Sequence, residues 1–271
     1  MTDIQNTLPD LSGEYSLTDE QRDGHILLRG ICAPEDIAAY RRVISDAAER
    51  HNKEQRALED RDTYGKAFLQ TINLWVNNED VKKFVFARRF AKIASQLMDV
   101  DGVRLYHDQA LFKEPGGGPT PWHQDQQYWP LDTDHTITMW MPLVDAAQEM
   151  GTMRFASGSH RTGYLGNIPI SDKSEETFSR FIEERGYAVA PSGAMRAGDA
   201  TFHSGWTLHS ASGNSASTLR KAMTIIFYED GTRLSNFDDP SRRSGRDAYF
   251  PDRSPSEPAI GELSPLLFER K

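Results

Sequence analysis

The sequence predicts a mainly β fold with flanking helices, and three observations carry that reading. Apolar residues recur at helical spacing chiefly within the first hundred positions. From residue 102 short apolar segments alternate with Gly, Pro, Asp and Ser, the rhythm of an antiparallel sandwich or barrel. No repeat or low-complexity tract interrupts the 271 residues, which read as one domain, 1–271.

Residues 1–20 are polar and predict an arm. Residues 25–31 form a short apolar run that fits a strand. Pro34, Glu35 and Asp36 then open a helix, with a proline and acids in its first turn. Ile37, Tyr40, Val43, Ile44 and Ala47 mark its buried stripe, which fades near His51. Residues 52–66 are charged and predict a loop. Residues 80–99 predict a helix buried through Val81, Phe84, Val85, Phe90, Ile93 and Leu97, with a break near Arg88 and Arg89. Strands are expected within 103–113, 121–129, 136–144, 152–157, 187–190, 195–203, 206–209 and 221–229, with a helix inserted at 175–184. The domain thus divides into an N-terminal arm, strand and helices (1–100), a β core (101–230) and a C-terminal flap of little regular structure (231–271).

Composition excludes more than it selects. Acidic residues outnumber basic ones 40 to 31, a net charge of −9 that argues against nucleic acid, because phosphate binding needs concentrated Lys and Arg. No run of 18 apolar residues predicts a membrane span. The start of the chain lacks a secretory pattern, and its last residues are not a peroxisomal address. A single cysteine, Cys32, fits a reducing compartment, so a cytoplasmic location is expected. The sequence leaves oligomeric state open.

The chemistry concentrates in residues 121–130, where His123 and Asp125 stand two apart. On a strand such residues share a face. Two histidines and one carboxylate on one face of a metal mark non-haem Fe(II) oxygenases. The pair alone carries little: chance placement of 8 His and 23 Asp in 271 residues gives roughly 0.7 such pairs in an ordinary composition. A third ligand is available downstream, at His203 or His209. Arg220 supplies a permanently charged fork suited to a carboxylate. A 2-oxo diacid chelated to iron would reach it with its far carboxylate and leave one site for O2.

His-x-Asp, a distal His and an Arg eleven residues later resemble the phytanoyl-CoA dioxygenase family of Fe(II)/2-oxoglutarate oxygenases. Further similarities are Phe112 and Lys113 ahead of residues 122–125, Trp140 on the next strand, the 151–160 hairpin, Gly198-Asp199 and Asn214. The likeness covers roughly residues 100–230. It implies a double-stranded β-helix, a jelly-roll or cupin-like core. It implies His123, Asp125 and His209 as iron ligands and as the catalytic centre, and Arg220 as anchor of the 2-oxoglutarate C5 carboxylate. His209 is favoured over His203 because it keeps the spacing to Arg220. Gln109 and Trp140 fall where the family contacts 2-oxoglutarate. Where the family often has a Ser two residues after the distal His, this chain has Ala211, and Ser210 or Ser212 is the candidate substitute.

The implied reaction hydroxylates an unactivated C–H of a small organic molecule, with succinate and CO2 as co-products and O2 as co-substrate. Asp125 fills a metal position that related halogenases leave open for chloride, which favours hydroxylation, desaturation or ring formation. The expected substrate is an amino-acid derivative or secondary metabolite, since no dense basic cluster awaits the CoA phosphates. Two other readings are a cupin-like metalloenzyme without 2-oxoglutarate and a non-catalytic metal- or ligand-binding β-sandwich. Lys113 and Arg154 are candidate substrate-carboxylate partners. His107 reads as a core or pocket residue, His160 as a turn brace, and His25, His51 and His135 as surface. Trp122 reads as packing, Tyr128 and Trp129 as pocket wall or core, and Gly116 to Gly118 as a flexible lid hinge.

Overall fold

The computed structural model describes residues 22–236 and 238–270, so the arm expected at 1–20 lies outside the described residues. Two antiparallel sheets face each other in a jelly-roll. The larger runs β1 (His25–Leu28), β9 (Ala200–Ser204), β6 (Thr136–Pro142), β11 (Arg220–Glu229), β3 (Gly102–Lys113) and β13 (Leu266–Glu269). The smaller runs β4 (Thr120–His123), β10 (His209–Ala211), β7 (Met153–Ala156) and β8 (Val189–Pro191). A short pair, β5 (Leu131–Asp132) with β12 (Arg233–Leu234), stands apart.

Strand alternation sorts the larger sheet into two faces. Ile137, Met139, Met141, Phe202, Met223, Ile225 and Phe227 point outward and are fully buried. They pack under α1 (Pro34–His51), α4 (Glu79–Val85) and α5 (Arg88–Met98), whose Ile37, Tyr40, Ile44, Phe84, Phe90 and Ile93 join the same core cluster. The inward residues of the same strands face the smaller sheet and carry the polar groups described below.

Several elements differ from the sequence reading. The charged stretch 52–66 holds a 3-10 turn (Leu58–Asp60) and the start of α2 (Thr63–Ala67), whose first turn Asp62 caps by accepting from the Gly65 amide. Next come β2 (Leu69–Ile72), too short to show a pattern, and α3 (Leu74–Asn77). The break in the 80–99 helix falls at Phe86 and Ala87, between α4 and α5. The inserted helix is α6 (Asp172–Arg185), closed by a Ser171–Ser174 capping box and by Gly186 at φ 66°. It packs Phe178 and Ile182 on Trp122 and Leu208, which makes Trp122 a packing residue.

The segment read as a flap is regular in part. It contributes β12, α7 (Pro240–Tyr249) and β13, and β13 joins the larger sheet. β3 is paired along one edge by β11 and along the other by two short strands in succession: β13 lies against Gly102–Arg104 and β2 against Gln109–Phe112. Gly116 to Gly118 is no free hinge. Gly116 and Gly118 donate to the carbonyls of Asn214 and Lys66, and the Asn214 amide donates to Gly117. His25 is half-buried rather than surface: its ring stacks on Phe155 at 4.5 Å and bonds Ser157.

Candidate active site

The smaller sheet sets two histidines side by side, because β10 pairs with β4 in a register that matches His209 to His123. Their ring centroids lie 4.1 Å apart. Each Nδ1 faces a carbonyl, His123 to Pro121 at 2.8 Å and His209 to Thr207 at 2.9 Å. A carbonyl only accepts, so both Nδ1 atoms carry the proton and both Nε2 lone pairs are free for a ligand. Burial, then the neighbouring His209 ring, holds the His123 pKa below the ordinary value, which keeps it neutral.

Asp125 completes the set by a route different from the strand parity expected. β4 ends at His123, and Asp125 opens a 3-10 turn (Asp125–Tyr128). The turn swings its carboxylate back over the rings, so that Oδ1 stands 3.5 Å from Nε2 of both His123 and His209. Oδ2 accepts from Thr138 Oγ1 at 2.8 Å and from His203 Nε2 at 3.3 Å. Burial pushes the Asp125 pKa up, but the neighbouring His209 and the hydrogen bond from His203 outweigh it and hold it well below the ordinary carboxylate value. Ligand atoms of His123, Asp125 and His209 all lie within 4.8 Å of one another. Two imidazoles and one carboxylate, with no fourth His, Cys, Asp or Glu in the group among the described residues, fit a metal that keeps positions open.

Arg220 lies at the first residue of β11 and is 2% exposed. Its Nη1 donates to the Gly151 carbonyl at 2.7 Å and its Nη2 to Leu111 at 3.3 Å, while Nε has no partner. Gly151 takes φ 78°, and a Cβ there would sit 2.3 Å from the Ser212 carbonyl, so this turn requires glycine. The guanidinium carbon stands 5.2 Å from the Trp140 ring centre. No carboxylate pairs with Arg220 among the described residues. Burial without a counter-ion pulls its pKa down to about 9. An unpaired buried cation costs several kcal/mol, which an incoming carboxylate would offset.

The triad and Arg220 open on one cavity of about 520 Å³ between the sheets. Its donor set and its unpaired cation fit iron and a bidentate 2-oxo acid. The sequence profile of the phytanoyl-CoA dioxygenase (PhyH) family matches residues 21–222. The chain belongs to that family. It is a non-haem Fe(II)/2-oxoglutarate-dependent dioxygenase.

A curated relative and two solved structures are similar to this chain. The chain is 30% identical over 136 residues to a probable alpha-ketoglutarate-dependent hypophosphite dioxygenase of Stutzerimonas stutzeri, a match that spans 47% of this chain and 46% of that relative. It shares a fold, at TM-score 0.74 and 21% identity over 98% of both chains, with the non-haem alpha-ketoglutarate-dependent carbocyclase SnoK from nogalamycin biosynthesis. It also resembles the epimerase SnoN, solved with Fe3+, alpha-ketoglutarate and nogalamycin RO, at TM-score 0.73 and 23% identity over 93% and 96% of the two chains.

Other residues singled out in the sequence fall as follows. Gln109 and Trp140 line the cavity on strands flanking Thr224 of β11, which is matched in register to both. Ser210 lines it too, with a buried hydroxyl that has no partner, whereas Ser212 is exposed. Tyr128 and Trp129 form wall, and Trp129 also packs on Tyr106. His107 is a pocket residue. Lys113 is fully buried, but its ammonium turns to the Gly118 carbonyl and Thr120, and it does not line the cavity. Arg154 lies over the Trp122 ring. Among the wall residues that escaped the sequence reading are Thr138, Tyr64 and Gln70. Thr138 was findable, since it shares strand parity with Trp140. Tyr64 and Gln70 sit on α2 and β2, elements with no periodic signal.

Proposed function

We propose that His123, Asp125 and His209 hold Fe(II) and that Arg220 anchors the C5 carboxylate of 2-oxoglutarate. Trp140 and Gln109 wall the co-substrate site, and the Ser210 hydroxyl takes the place of the missing serine at Ala211. The buried guanidinium, without a counter-ion among the described residues and facing the same cavity as the triad, carries this reading. When bound, iron with 2-oxoglutarate and O2 supplies an oxidant for an unactivated C–H, with succinate and CO2 as co-products.

The chain's own groups do the rest. Pro121 and Thr207 carbonyls fix the two imidazoles in one tautomer. Thr138 and His203 hold one Asp125 oxygen so that the other faces the histidines. The cavity walls exclude water, which strengthens the Arg220 clamp. The outcome is hydroxylation, or a desaturation or ring closure, of a small organic molecule, an amino-acid derivative or secondary metabolite. Residues 1–271 act as one oxygenase domain, supported by a core that runs from Ile26 to Phe268. A cytoplasmic site of action is consistent with the one buried cysteine. No helix among the described residues is long and apolar enough to cross a membrane, and nucleic acid is not an expected partner of a chain with net charge −9.

Anaerobic titration with Fe(II) and 2-oxoglutarate tests the assignment, read by the charge-transfer absorption of the chelate. One equivalent of each is expected to bind, and His209→Ala is expected to weaken iron by about a hundredfold or more. Unchanged iron binding in His209→Ala, or succinate release that survives rigorous chelation, would overturn it.

A further inference from the structure

We propose that the substrate presents a ring system to the cavity and carries no anionic group into it, being either uncharged or cationic. The inference rests on the assignment of Arg220 to 2-oxoglutarate. Among the described residues lining the cavity, Arg220 is the one permanent cation, while Asp125 sits at the triad and Asp62 also lines the wall. Once Arg220 is committed to a co-substrate, a second anion finds no partner there. Burying it unpaired costs several kcal/mol.

Lys113 does not close this gap. Its ammonium is spent on the Gly118 carbonyl and on the hydroxyl of Thr120, a lining residue, while Lys113 itself does not line the cavity, and burial beside Arg220 pulls its pKa down to about 6. The remaining wall favours ring faces: Tyr64, Phe68, Tyr128 and Trp129 are aromatic, and Ile72 and Ile170 are apolar.

Polar recognition comes from neutral groups. Tyr64 Oη donates to Gln70 Oε1, Gln70 Nε2 to Gln109 Oε1, and Gln109 Nε2 to His107 Nε2. His107 then donates through Nδ1–H to Tyr249 Oη at 2.7 Å. Each amide in this row keeps one spare hydrogen and one spare lone pair. They match a hydroxyl, carbonyl or amide on the substrate. The row offers no charge to an acid, which sets this cavity apart from one built for hypophosphite.

Calorimetric titration of the full chain, with Mn(II) in place of iron and saturating 2-oxoglutarate, tests this on one ring frame. The probes are 2-naphthalenemethanol, 2-naphthylmethylammonium, 2-naphthoate and hypophosphite. The alcohol and the ammonium are expected to bind at least about tenfold more tightly than naphthoate, a difference of about 1.4 kcal/mol, and hypophosphite not measurably. Gln70→Lys is expected to shift the ratio of naphthoate to alcohol affinity by about tenfold toward naphthoate. Naphthoate or hypophosphite binding as tightly as the alcohol overturns the proposal, as does failure of all three naphthyl probes. A chain that binds the alcohol but neither metal nor 2-oxoglutarate would keep the cavity's ring preference and remove the proposed reaction. A chain that binds both yet prefers naphthoate would remove this inference alone.

Discussion

The two faces of the larger sheet share their strands and little else. Outward from β6, β9 and β11 stand Ile137, Met139, Phe202, Ile225 and Phe227, sealed under helices. Inward from the same strands stand Thr138, Trp140, His203, Arg220 and Thr224, around a cavity. A one-residue step along a strand therefore crosses from groups that hold the fold to groups that burden it. The outer face gains from every buried methylene. The inner face keeps a cation without a counter-ion and a carboxylate ringed by histidines, arrangements that repay their cost only when ligands arrive.

Substitution on the outer face tests the contrast most severely. Phe227→Ala should lower stability by about 3–5 kcal/mol in urea denaturation, while the KM for 2-oxoglutarate of the folded fraction stays unchanged. A shifted KM with full stability would show that the faces are not separate.

Asp108 sharpens the contrast, because it is a fully buried carboxyl aimed outward, accepting from the Leu74 and Trp75 amides. Burial pushes its pKa from 3.8 up to about 7. The unfolded chain loses this proton near 3.8 and the folded chain keeps it to about 7, so stability falls as pH rises through that window. Asp108→Asn should flatten the decline, by a few kcal/mol between the ends of the window. Parallel urea midpoints for wild type and variant from pH 4 to pH 8 would refute it.

On the inner face, Arg220→Gln should raise the 2-oxoglutarate KM by roughly 10–100-fold. The melting temperature of the metal-free protein should move far less than in Phe227→Ala. An unaltered KM would remove the anchor role.

Much of this contrast was legible in the sequence, because period-two alternation reports which residues share a face. Trp140 with Thr138, and Met139 with Met141, sort themselves by parity. The His123, Asp125, His209 and Arg220 set was legible through spacing. The mechanism that unites it was not: Asp125 meets His123 by a 3-10 turn, and no local pattern marks where a strand gives way to one. β2 and α3 were invisible because four residues are too few for either period to show. The regular structure after residue 230 was hidden by composition. Asp239 caps α7, Pro240 opens it, and both residue types read as loop when taken singly.

The double edging of β3 bears on association through sheet edges. A strand of twelve residues with a bare flank is a template for a second chain. Here that flank is divided between β2, which follows the first helices, and β13, which comes from the far end of the chain. Without residues 266–269 the flank at Gly102–Arg104 would stand bare. β13 thus shields that flank from edge-to-edge association.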